Sequence, residues 1–443
     1  MAQNMWQSIF DQDSFVQTFA YAMPETNSIP GDGVITGYGV VSDRLFFTAI
    51  QTGDGMGQIQ ATKIAKIIQL AIKQGAPFIF FMNSQGLRLE ENFDALSGYG
   101  EILQAISLAN SEIPTICVIE GNCIGTAATI ASMFDFVIMI EGAGYASVRT
   151  GMTQLEYETN CNANACSANG FATIVCKKED FPKCMEQLIN YLPDNASTGT
   201  DDYDGCADDP NRYCSYCDSL QTEDCYDVRN VLREISDDQL FFEVWKDYAP
   251  SVVTAFARFG GKVTGIVANN TSVENGVIED AVCKKISVMI DYCDRFSIPL
   301  VTLTNTIGLT NDDPADLTNL SASTALLATS YIHADIPKLN IIIGKAYGNS
   351  SLLINSHRTG ADYVYAWKQA SICIGKPEGM ALLYYRDQIS NAQDPVEARQ
   401  QAIVAYKEQH CSPVFAAQKA YIDDVISAGE TRARIINFIQ MMA

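Results

Sequence analysis

Two short runs of small residues carry the clearest chemical suggestion in the sequence. One is Gly121-Asn-Cys-Ile-Gly125-Thr126-Ala127, the other Ala346-Tyr347-Gly348-Asn349-Ser350-Ser351. Each reads as a buried strand running straight into the start of a helix. The first N–H groups of a helix have no partner inside it, and small side chains let a carbonyl oxygen come close. Two such donors make an oxyanion hole, aimed at charge that develops during reaction. The alternative reading is a close-packed strand-to-helix turn that holds no ligand. Side-chain catalysts are scarce: the only histidines are His333, His357 and His410, which leaves a Ser-His-Asp triad or a histidine-rich metal centre little to draw on. Neither a P-loop nor a Gly-x-Gly-x-x-Gly with an acidic partner is present. An enzyme built this way would work through backbone donors and let a cofactor bring the reactive group.

The chain has 14 cysteines. Cys117, Cys123, Cys283, Cys293 and Cys373 sit in apolar runs and read as small core residues. Cys206, Cys214, Cys217 and Cys225 lie in a different kind of segment: Asp201 to Asp227 holds nine acidic residues and one basic, Arg212. Their single C-x-x-C is half of what a zinc site usually shows. Metal binding there stands beside disulfides and free thiols as a reading.

The elements that must position the two turns occur twice. Gly75-Ala-Pro-Phe-Ile-Phe-Phe-Met-Asn-Ser-Gln-Gly86 answers to Ser297-Ile-Pro-Leu-Val-Thr-Leu-Thr-Asn-Thr-Ile-Gly308, with both the prolines and the final glycines 222 residues apart. Gly125 and Gly348 are 223 apart, and Asp135 and Asp362 are 227 apart. In each copy an amphipathic helix precedes the run: Ile64, Ile67, Ile68 and Ala71 in the first, Val282, Ile286, Met289, Ile290 and Cys293 in the second. Pro77 and Pro299 supply stops, and short strands Phe78 to Met82 and Leu300 to Leu303 follow. Strand, helix, strand at this rhythm predicts an α/β protein of two tandem domains related by internal duplication, with ligands where strand ends meet helix starts. The domains are expected over 1–230 and 231–443, with an acidic cysteine-containing linker near 195–230.

Composition fits a large folded chain: 47% of the 443 residues are hydrophobic, 18% are charged, and the net charge is −23. That charge argues against nucleic acid, whose binding rests on cation contacts to phosphate. Neither a signal peptide nor a membrane span is legible, so a cytoplasmic location is expected.

Several stretches resemble the carboxyltransferase subunits of biotin-dependent acyl-CoA carboxylases, decarboxylases and transcarboxylases. Ser84-Gln85-Gly86-Leu87-Arg88-Leu-Glu-Glu91 is similar to that family's S-G-G-A-R-I-Q-E, and Gly121 to Ala127 to its G-P-C-A-G-G-A. Phe241-Phe-Glu243, Phe256-Ala-Arg258, Lys345-Ala-Tyr-Gly348, Gly360-Ala-Asp-Tyr-Val-Tyr-Ala-Trp367, Tyr421-Ile-Asp-Asp-Val-Ile and Glu430-Thr-Arg432 continue the likeness in order. The resemblance implies two crotonase-like domains, each a ββα superhelix, the first binding the acyl-CoA and the second biotin. It implies that Gly125 and Thr126 supply one pair of donors and Asn349 and Ser350 the other. It implies substrate contacts from Ser84, Gln85, Gly86, Leu87, Arg88, Gly308, Tyr347 and Gly348. Carboxyl transfer between biotin and the carbon α to a short acyl-CoA thioester, propionyl-CoA or methylmalonyl-CoA, follows. Biotin would arrive on a separate carboxyl carrier protein, beside a biotin carboxylase or a membrane decarboxylase subunit. The site would form between subunits of a homo-oligomer, dimer or hexamer. Where the family has Gly-Gly and Gly-Gly-Ala, this chain has Gly125-Thr126 and Gly348-Asn349-Ser350. The other reading is therefore a non-catalytic paralogue that builds such a complex.

Overall fold

The structure, a computed structural model, describes residues 4–23, 31–53, 55–200, 206–309 and 317–442. The chain divides into two compact units: residues 1–200 with Trp245–Tyr248, and residues 201–244 with 249–443.

The first unit is built on eight strands: β1 (Val16–Thr18), β2 (Val34–Val41), β3 (Arg44–Gln51), β4 (Phe78–Ser84), β5 (Thr115–Ile124), β6 (Phe136–Ile140), β7 (Ala146–Ser147) and β8 (Ile174–Cys176). They run in the order β1-β2-β3-β4-β5-β6-β8, with β7 paired to β5. β1 to β3 form an antiparallel meander, and every later pairing is parallel. The helix Gln58–Gln74 follows β3 and places Ile64, Ile67, Ile68 and Ala71 in the core, all at 0% exposure. Burial of such an aliphatic side chain contributes about 1.5–3 kcal/mol. Gly75 ends the helix in a left-handed conformation (φ 63°, ψ 41°) that a β-carbon would strain.

The second unit repeats the plan with β9 (Phe241–Val244), β10 (Val252–Phe259), β11 (Lys262–Asn269), β12 (Leu300–Thr306), β13 (Lys338–Tyr347), β14 (Tyr363–Trp367), β15 (Ser371–Cys373) and β16 (Asp424–Ile426). Its order is β16-β14-β13-β12-β11-β10-β9, with β15 on β13. The helix Asp280–Arg295 buries Val282, Ile286, Met289, Ile290 and Cys293 as its counterpart does. Even the anchors of the parallel strands recur. Asp135 accepts the N–H of Thr115 at 2.8 Å, and Asp362 accepts that of Lys338 at 2.8 Å.

The division falls after Thr200, not at 230/231, and the expected linker is in large part a piece of the second unit. Residues 201–205 lie outside the described residues, but Cys214, Cys217, Leu220 and Tyr226 pack into the second core. Apolar residues hidden in an acidic stretch account for this. Cys214 donates its N–H to Gly429 at 2.8 Å and fixes the segment beside the C-terminal helix Thr431–Met442. Among the described residues no helix is long and apolar enough to cross a membrane.

Candidate active site

The strand that leads to each turn is bulged. Met82 pairs with Ile119, but Ser84, two residues on, pairs with Cys123, four residues on. Thr304 and Thr306 pair with Ile342 and Ala346 in the same way. Bulges of this kind re-aim the end of a strand. One asparagine braces each. Asn83 Oδ1 accepts the N–H of Asn122 at 3.1 Å, and Asn305 Oδ1 accepts that of Lys345 at 2.9 Å. A glycine opposite is required, since a Cβ on Gly121 would lie 2.2 Å from Asn83 Oδ1 and one on Gly344 2.4 Å from Asn305 Oδ1.

Each bulged strand ends in a glycine of positive φ, Gly125 (φ 71°, ψ −135°) and Gly348 (φ 65°, ψ −147°). Their N–H groups are engaged, Gly125 with Ser147 O at 2.8 Å and Gly348 with Cys373 O at 2.9 Å. Short helices follow at once, Thr126–Ala131 and Asn349–Leu353. The third N–H of each turns back onto its glycine, Ala128 to Gly125 O at 3.0 Å and Ser351 to Gly348 O at 3.2 Å. Among the described residues the N–H groups of Thr126 and Ala127, and of Asn349 and Ser350, have no hydrogen-bond partner. The two turns thus match bond for bond. The first free pair is one residue later than the Gly125 and Thr126 expected, because the Gly125 N–H still belongs to the sheet.

The Ser84–Arg88 stretch is held from within the first unit. Ser84 is fully buried, with its hydroxyl 3.3 Å from both the Gly86 N–H and the Tyr99 hydroxyl. Burial pushes the Tyr99 phenol up to about 12. Gly86 (φ 108°) gives its carbonyl to the N–H of Met56 at 2.8 Å, and Leu87 pairs with Met56 in a short parallel bridge. Thr306, Gly308 (φ 123°), Leu309 and Ile278 repeat this pattern. Gln85 is exposed and Leu87 half-buried. Arg88 Nη1 is committed to two carboxylates, Asp32 at 3.0 Å and Glu91 at 2.7 Å, and so ties the stretch to the start of β2.

In the second unit, Gly348 and Asn349 open onto a cavity of about 590 Å³ walled by Tyr384, Tyr406, His410 and Phe415. The rings pack on one another, Tyr406 and His410 tilted at 4.9 Å and His410 and Phe415 edge to face at 5.6 Å. Tyr421 donates its hydroxyl to Ser351 O at 2.9 Å and steadies the helix start. Tyr347 itself is turned away, its hydroxyl on Ser371 Oγ at 3.2 Å, and burial holds that phenol above the ordinary range.

The four cysteines of the acidic segment do not assemble. Among the described residues no group of three or more His, Cys, Asp or Glu could hold a metal ion. Cys217, in the helix Ser215–Ser219, and Cys214, just before it, are buried in the core, whereas Cys225 is exposed and meets Asn275 at 3.2 Å.

Two eight-stranded α/β units of one plan, each with a bulged strand feeding a donor-bearing turn, define a tandem crotonase-like protein. The chain belongs to the carboxyl transferase domain family, which it matches over residues 2–443. It is 31% identical to the propionyl-CoA carboxylase carboxyltransferase subunit of Haloferax mediterranei, over 98% of this chain and 87% of that one. It is 31% identical to the methylmalonyl-CoA decarboxylase subunit alpha of Veillonella parvula, over 98% and 88%. A crystal structure of transcarboxylase 12S, a hexamer with methylmalonyl-coenzyme A and methylmalonic acid bound, superimposes with a TM-score of 0.92 at 30% identity, over 99% of this chain and 88% of that one.

Proposed function

We propose that this protein is a carboxyltransferase subunit that moves a carboxyl group between carrier-bound biotin and the α-carbon of a short acyl-CoA. The observation that carries the reading is the recurrence of one turn, with two unpartnered N–H groups, in both units of a chain of this family. Propionyl-CoA and methylmalonyl-CoA are the substrates suggested by the relatives. A homo-oligomer, a biotin carboxyl carrier protein, and a biotin carboxylase or membrane decarboxylase subunit are the partners that go with it.

In this reading Thr126 and Ala127 receive the thioester oxygen, and their N–H groups strengthen as it gains enolate charge. Asn349 and Ser350 receive the ureido oxygen of biotin. Biotin, when bound, supplies the carboxyl group and a ring nitrogen that can take the α-proton. The aromatic cavity at Gly348 and Asn349 suits a small bicyclic ring, with a donor pair at its edge. Gln85 and Leu87 line the acyl-CoA side over the buried Ser84 and Gly86, and Gly308 holds the equivalent place in the second unit. Arg88 positions that stretch through its two carboxylates.

Single-turnover transfer from carboxylated carrier to a panel of acyl-CoAs tests the proposal. Ser350→Pro deletes one donor in the first helical turn, where no intrahelical bond depends on it, and is expected to slow transfer by about 10²–10³-fold. Asn349→Gly keeps the donor and should hold or raise the rate. Background transfer by wild type and both variants with every acyl-CoA would replace the enzyme with the non-catalytic subunit.

A further inference from the structure

We propose that Cys373 and Cys411 form a peroxide-oxidisable thiol pair that closes to a disulfide in the wall of the second unit's cavity. The two residues are 5% and 3% exposed and pack together with Tyr347, Ala381 and Tyr406 in one small apolar cluster. Their backbones are joined one residue away, where the Ile372 N–H donates to Cys411 O at 2.9 Å. Both side chains are thus held in one buried cluster, with strand and loop tied together beside them. Cys373 also lines the cavity of about 590 Å³, which gives a small oxidant a way in.

The chemistry divides the roles. The Cys411 thiol, with help from the backbone N–H groups of Gly375 and Ile374, holds the Cys373 thiol below its ordinary range, and Cys411 is raised in turn. A low-lying thiolate beside a second thiol is the arrangement of redox-sensing cysteines. The Cys373 thiolate attacks a peroxide oxygen; the S–O bond forms, the O–O bond breaks, and hydroxide or alkoxide leaves. Cys411 sulfur then attacks the sulfenic acid; the S–S bond forms, the S–O bond breaks, and water leaves. Two thiols are oxidised and one peroxide is reduced to alcohol or water. A dithiol reverses the change by exchange.

The duplication supplies its own control. In the first unit Ala146 donates to Cys161 O at 3.0 Å and Gly125 to Ser147 O at 2.8 Å, as Ile372 and Gly348 do to Cys411 and Cys373. Cys161 therefore stands for Cys411, but a serine stands for Cys373. Only the second turn has the pair, and only there does the carbonyl that holds the turn's glycine belong to a cysteine. Closing the disulfide pulls on that carbonyl and alters the cavity beside Asn349.

The test treats the full-length protein with graded hydrogen peroxide, alkylates it, and maps peptides by mass spectrometry. The expected result is a 373–411 cross-link, reversed by dithiothreitol and absent in Cys373→Ser, which copies Ser147, and in Cys411→Ala. Full alkylation of both cysteines at doses that already oxidise the exposed Cys225 would overturn the proposal. So would sulfinic acid at Cys373 without the cross-link. The effect on carboxyl transfer rests on the proposed function and is read separately: transfer should fall in step with the cross-link and recover with dithiothreitol. Cross-linked protein that transfers at the reduced protein's rate would overturn the placement on a working cavity. No transfer by the reduced protein counts against the proposed function and leaves the cross-link result standing.

Discussion

Lys63 and Lys285, 222 residues apart, hold the same post in their two units. Each reaches from its long helix beneath the first hairpin and donates to two carbonyl oxygens: Lys63 to Gly31 at 2.7 Å and to Val34, Lys285 to Ala249 at 3.4 Å and Val252 at 2.7 Å. Burial lowers the Lys63 ammonium from 10.5 to about 8, against the pull of Asp32. In the unfolded chain the same group keeps its proton to about 10.5. Between those values the unfolded state binds more protons, so stability from this group rises with pH. Wild type should therefore gain on Lys63→Met from pH 8 to 10.5 and run parallel to it below pH 8, as read by denaturant midpoints across that window.

Asn305→Ala should loosen the second turn. Asn305 is buried, and its amide joins the Lys345 N–H to the Tyr226 hydroxyl at 3.2 Å. Removing it strands both groups, at a cost of about 1–3 kcal/mol. Transfer should fall by more than the stability loss explains, because the bulge aims Gly348. Thermal melts and single-turnover rates on one preparation compare the two effects.

Arg432→Leu is expected to be far more damaging. Arg432 is wholly buried, 2.6 Å from Asp237, and also donates to Ile235 O at 2.9 Å. Asp237 is 4% exposed and accepts the N–H groups of Gly260 and Gly261 besides. Breaking such a pair leaves a buried charge without its partner, which costs about 3–5 kcal/mol. Equilibrium unfolding in urea should show the midpoint falling with the slope unchanged.

The duplication was open to inspection in the sequence because its landmarks are local: a helix stripe, a proline stop, a glycine turn. Those signals also located both turns and the helix and short strand that precede each. What stayed hidden depends on contacts far along the chain. Nothing near Gly125 announces that its N–H pairs with Ser147, so the unpartnered N–H groups begin at Thr126. Nothing near Arg88 announces its bond to Asp32, 56 residues earlier. The acidic count over 201–227 hid the apolar Cys214, Cys217, Leu220 and Tyr226, which net charge does not register and which seat the segment in the second core. The two asparagines were visible at matched positions, 83 and 305; a repeat of one polar residue at the end of a buried strand was the signal that could have exposed the bulges.

The asparagine brace has an evolutionary corollary. Since Asn83 and Asn305 fix each turn from behind, folding places little demand on the residue at the mouth, whether threonine at 126 or asparagine at 349. The framework and the aperture are separately adjustable, and each copy has its own aperture. A lineage carrying this chain could retune what one half admits, substitution by substitution, while the other half and the scaffold of both stay as they were.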